Sequence, residues 1–68
     1  MNVAKGSIVV RRSYSGDIYF IVVDIQGGAA LLKGLFHRLL ADAPVEDLIR
    51  VSDEKEQLLL ERIGGKHD

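Results

Sequence analysis

Apolar residues in this chain come in short, β-branched bursts separated by clusters of glycine, serine and aspartate, a spacing that suits strands better than helices. Ile8, Val9 and Val10 run into Arg11 and Arg12, and residues 13–17 (Ser13, Tyr14, Ser15, Gly16, Asp17) follow as turn formers. A strand and then a loop are predicted. Residues 17–25 hold Ile18, Tyr19, Phe20, Ile21, Val22, Val23 and Ile25, too short and too β-branched for a helix, and read as the central strand. Gln26, Gly27 and Gly28 tolerate positive φ, Gly28 above all, so residues 29–35 are expected to return antiparallel.

Alternation assigns the faces. With Lys33 in water, Ala30 and Leu32 point inward. In the next segment an outward Arg38 sends His37, Leu39 and Ala41 inward and leaves Phe36 and Leu40 outside, with Gly34 at the bend between the two strands. Residues 42–47 read as one helical turn, capped by Asp42 and started by Pro44, and residues 48–51 as a last strand. The layout is that of a mainly β protein, a small SH3-like five-stranded barrel with a short C-terminal helix.

From Ser52 onward the residues become helix formers. Ser52 with Lys55, or better Asp53 with Glu56, supplies N-terminal capping, and Leu59, Leu60 and Ile63 form an apolar stripe ending before Gly64 and Gly65. Such a helix is marginal alone and needs a surface to dock on. The expected organisation is a barrel over 1–52, a helix or linker toward a further part of the protein over 53–63 and a flexible end over 64–68. Tyr19, Ile21 and Val23 alternate with Phe20 and Val22, so both faces of the central strand are apolar. The outer face calls for a cover: the 58–63 helix first, a second copy or an adjoining domain otherwise.

Composition narrows the function. The 68 residues make one domain, which buries about 60% of its unfolded surface. Cysteine is absent, which leaves no disulfide or thiolate metal site. No signal-peptide core follows the start, and the longest apolar-rich run, residues 18–25, is far below the roughly 20 residues that span a bilayer. The net charge is −1, with six Lys/Arg against five Asp/Glu in residues 1–52 and three against five in 53–68. A near-neutral body and an acidic tail argue against nucleic acid as partner.

Ser13, Ser15, His37 and Asp42 include the residue types of a nucleophile, base and orienter, but no nucleophile-elbow motif joins them, and serines beside Gly16 are turn chemistry. His37 reads as a core or rim histidine and His67 as part of a polar terminus, so no metal site is expected. Asp17, Asp24 and Asp42 each have a turn, hairpin or cap role that competes with an acid–base pair. Gly27-Gly28 and Gly64-Gly65 lack the Lys-Ser/Thr of a phosphate cradle. The expectation is no catalytic residue, no metal and no cofactor. A basic and aromatic set remains as candidate protein-binding residues: Arg11, Arg12, Tyr14, Tyr19, Phe36 and Arg38.

Three stretches, residues 6–9 (Gly6, Ser7, Ile8, Val9), 13–20 and 39–48, are similar to the start of the sporulation-specific protease YabG family. The likeness covers about the first 52 residues. Family members are longer cysteine-type peptidases that process spore-coat proteins. With no cysteine here, the resemblance implies a non-catalytic N-terminal interaction or positioning domain, with the acidic helix leading into the peptidase part. The implied partners are the remainder of that peptidase and spore-coat proteins, and the implied location is the cytoplasm on the mother-cell side of the sporulating cell, or the spore coat, away from membranes. Two other readings stand beside it: a nucleic-acid-binding SH3-like barrel of the KOW type, and a homo-oligomerisation module forming a homodimer.

Overall fold

Local sequence punctuates the described residues into five strands and one helix. The computed structural model describes residues 3–14 and 18–64. Ser15, Gly16, Asp17, Gly65 and His67, all named above, lie outside them. The strands are β1 (Ile8–Arg11), β2 (Phe20–Gln26), β3 (Ala29–Gly34), β4 (Leu40–Pro44) and β5 (Leu48–Arg50), with a 3-10 turn at Val45–Asp47 and helix α1 at Asp53–Gly64. They form one antiparallel sheet in the order β4-β3-β2-β1-β5.

The two edge strands follow one another in sequence, and that forces curvature. From Pro44 to Leu48 the chain can reach about 14 Å, whereas a flat five-stranded sheet would hold its edges roughly 19 Å apart. The sheet curls until β4 and β5 approach. The ladder ends on these two strands, so the barrel is approximate and not closed. A bulge in β2, where the pairing with β3 shifts between Val22 and Asp24, adds to the bend. It also spaces the inward residues of β2 as Phe20, Val22 and Ile25. In the β2–β3 turn Gly27 (φ 56°) and Gly28 (φ 84°) are both left-handed, as a two-residue hairpin turn of this hand requires.

Inside the curl Val9, Phe20, Val22, Ala30, Leu32, Ala43 and Leu48 pack as one core, with Val3, Ile18, Ile25 and Val45 around it. Ala30 and Leu32 point inward as alternation predicts. The segment after Gly34 departs from expectation. Gly34 N–H donates to Leu39 O (2.8 Å) and Leu39 N–H to His37 O (3.0 Å), which folds the intervening residues into a bend before β4 starts. His37 and Leu39 are therefore exposed rather than inward, while Ala41, within β4, is half-buried. Asp42 is a β4 residue paired opposite Leu31 and caps nothing. The cap position of the 3-10 turn is Pro44, in extended conformation without a side-chain bond. Similarly, the central strand expected over residues 17–25 begins at Phe20 and runs to Gln26, with Ile18 and Tyr19 before it.

Helix α1 is capped by Ser52, whose Oγ accepts from Lys55 N–H (3.1 Å). Asp53 and Glu56, expected as the capping pair, instead hold Arg50 of β5 at 2.8 and 3.5 Å. The helix lies on the outer face of the sheet. Lys55 Nζ is 5.6 Å from the Tyr19 ring centroid, and the Arg62 guanidinium is 5.6 Å from that of Phe36. Ile8, which faces away from Val9 and pairs opposite Ile21, is fully buried, and Leu59 is the buried residue of the helix. Neither Ile8 nor Leu59 belongs to the core cluster inside the curl. Tyr19 and Ile21 are half-buried, but Val23 is left exposed, as are Leu58 and Leu60.

Candidate interaction surfaces

Pairing of β1 with β5 sets Arg11 opposite Leu48, next to the 3-10 turn. Its inward-facing stem lies against the barrel end while its head meets Asp47, Nε to Oδ2 at 2.8 Å, with both side chains about one-sixth exposed. Ser13 adds two bonds to the same carboxylate: its Oγ donates to Oδ2 (2.7 Å) and its N–H to Oδ1 (3.1 Å). Arg12 N–H donates to Asp47 O (2.7 Å), and Arg12 Nε to Glu46 O (3.1 Å). Tyr14 completes the group: its ring lies 4.8 Å from the Arg11 guanidinium and 6.3 Å, tilted by 55°, from the Phe20 ring. The Ser13 hydroxyl, then Arg11, hold the Asp47 carboxyl below its ordinary value of 3.8.

The other three candidate residues sit elsewhere. Tyr19 lies under Lys55 of the helix. Phe36 is on the bend, part exposed, with Arg62 over its ring. Arg38 is exposed and shares two adjoining surface depressions with Lys33. One depression is completed by Leu39 and Leu40, the other by the bend from Gly34 to His37 together with Ile63 of the helix. The six residues thus divide between the barrel end, the helix underside and the bend.

Of the residues weighed for catalysis, Ser15 and Asp17 lie outside the described residues. The Ser13 hydroxyl is committed to Asp47, His37 is on the exposed bend and Asp42 is on β4. Asp24 accepts from Ile25 N–H (3.0 Å) and Gln26 Nε2 (3.4 Å), a local hairpin role. Among the described residues no three His, Asp or Glu side chains cluster closely enough to hold a metal ion. Asp47 is the residue that sequence reasoning missed. The signal for it was the acidic Glu46-Asp47 pair opposite the basic Arg11-Arg12 pair once β1 and β5 are set side by side.

The fold and these surfaces define a small SH3-like β module with a docked helix, held at one end by a carboxylate network. A family model described as YabG peptidase U57 matches residues 4–66, and the chain belongs to that peptidase family. The matched stretch takes in helix α1 as well as the five strands. No curated protein and no solved structure matches the chain. No helix among the described residues is long and apolar enough to cross a membrane.

Proposed function

We propose that this chain is a non-catalytic domain of a peptidase that processes spore-coat proteins, and that it positions the protein substrate or a coat partner for cleavage. The observation that carries the reading is the family match over residues 4–66 in a chain without cysteine. A cysteine-type peptidase needs a thiolate nucleophile, which has to come from another part of the enzyme.

The test is removal of the domain from the full-length peptidase. Because Leu59 and Ile8 are both buried, a cut after residue 52 would leave an apolar helix face unpartnered; the deletion should run through residue 64. Cleavage of intact coat proteins should then fall severalfold more than cleavage of a short peptide. Equal losses on the two substrates would refute the positioning role.

A further inference from the structure

Lys33 and Leu40 are neighbours across the β3–β4 ladder, and both point to the outer face. Gly34 folds the chain back there, so Phe36, Arg38 and Leu39 gather beside them, and Ile63 closes the helix side. The outcome is a patch with unusual exposure for its composition: Leu40 is 67% exposed, Phe36 42% and Leu39 36%. Its charges are open as well: among the described residues neither Lys33 nor Arg38 has a carboxylate within ion-pair distance, unlike Arg11 of β1 and Arg50 of β5. One step along the sheet the sign reverses, where Asp24 and Asp42 flank Leu31 across the ladder.

We propose that this patch binds an extended acidic and apolar peptide segment of the peptidase's protein substrate, its apolar side chains on Leu40 and Phe36 and its carboxylates on Lys33 and Arg38. The proposal rests on the positioning role inferred above and names the chemistry of what is positioned. β4 is an edge strand, so an extended segment can lie along it. Asp42 fixes the polarity: the segment's acidic residues belong at the bend end of β4, away from that carboxylate. Nucleic acid fits less well, because Lys33 and Arg38 neutralise few phosphates and the exposed Asp42 on the same face repels them. A second copy fits less well too. Sheets that pack face to face lie about 10 Å apart, and α1 stands on the same outer face as the patch.

The experiment titrates the 68-residue chain against a fluorescently labelled short peptide carrying two glutamates followed by two leucines. A counterpart with lysines in place of the glutamates and a single-stranded oligouridylate are the comparison probes. The acidic peptide should bind, and salt should weaken it. Joint Lys33→Glu and Arg38→Glu substitution should lower its affinity about tenfold, Leu40→Ser should lower it by a similar factor, and Asp42→Asn should raise it a few-fold. Lys5→Glu, an exposed charge on a turn, should leave it unchanged. Circular dichroism melting confirms that each variant is folded. Unaltered affinity in the double variant overturns the proposal, as does equal binding of the lysine peptide or binding of oligouridylate alone. If no acidic peptide binds while deletion through residue 64 still selectively slows coat-protein cleavage, the patch is wrong and the positioning role stands. If deletion slows both substrates equally, the positioning role falls whatever the titration gives.

Discussion

The two clusters of arginine and aromatic residues on this molecule use the same residue types to opposite ends. At the Asp47 end the carboxylate accepts from Arg11, the Ser13 hydroxyl and the Ser13 amide, and the Tyr14 ring lies against the guanidinium. At the Lys33–Arg38 end no carboxylate among the described residues comes within ion-pair distance of either charge, and leucines lie open to water beside them. The first group ties the chain after β1 to the 3-10 turn and closes the end of the curled sheet. The second is held in place by backbone bonds around Gly34 and keeps its side chains available. What separates structure from recognition here is which neighbours strand pairing delivers, and not residue type.

The strongest way to break this contrast is to release the helix that borders only the second cluster. Leu59→Ala removes the buried anchor of α1 and should cost about 2–3 kcal/mol, the low end for a buried leucine because its helix neighbours Leu58 and Leu60 are exposed. Chemical denaturation measures the cost. Amide chemical shifts should move around Phe36 and Arg38, where Arg62 and Ile63 pack, and stay in place around Ser13 and Asp47. Shifts of equal size at both ends would show that the clusters are one coupled unit. Gly34→Ala is next. A Cβ there would sit 2.5 Å from the His37 carbonyl oxygen, so the bend must open, at a cost of roughly 1–3 kcal/mol. Its effect should likewise stay on the Lys33–Arg38 side.

The sheet was legible in the sequence because its signals are local. β-Branched runs, the Gly27-Gly28 turn and the two-residue alternation that sends Ala30 and Leu32 inward need no distant partner. The apolar outer face likewise called for a cover, and Lys55 of α1 lies over the Tyr19 ring there, while Val23 stays exposed. Errors arise where backbone geometry or distant pairing decides. Alternation carried through His37 and Leu39 assumed a strand, but the bend there is closed by main-chain bonds that leave no mark on side-chain pattern. Asp42 before Pro44 looks like a helix start until β3 takes it as a ladder partner. Asp47 could not be singled out, since its partners Ser13 and Arg11 lie 34 and 36 residues away. Asp53 and Glu56 lost the capping role to Ser52 because Arg50 draws them toward β5.

A pH titration sharpens the contrast from the structural side. The folded state holds the Asp47 carboxyl below 3.8, so the unfolded chain takes up its proton first as acid is added. The stabilisation from this group is complete above that value and is lost as pH falls through the lower, folded pKa. Asp47→Asn should therefore be less stable than the parent at neutral pH, with the gap narrowing in acid. Thermal melts from about pH 6 to about pH 2 test this. A gap that stays constant across the series would mean that the carboxylate charge contributes nothing beyond its shape.

The smallest stability effect belongs to the residues placed in recognition. Joint Lys33→Glu and Arg38→Glu substitution breaks no ion pair among the described residues and empties no core position, so the unfolding free energy should change by no more than about 0.5 kcal/mol. The new carboxylates would stand near Asp42, but repulsion between exposed charges is weak and salt screens it. The same double variant is the one expected to lose acidic-peptide binding. Those two results together define a surface whose charges act on a partner and not on the fold. If the double variant instead melts as early as Asp47→Asn does, Lys33 or Arg38 is already engaged within the chain, and the division between a structural cluster and a recognising one fails.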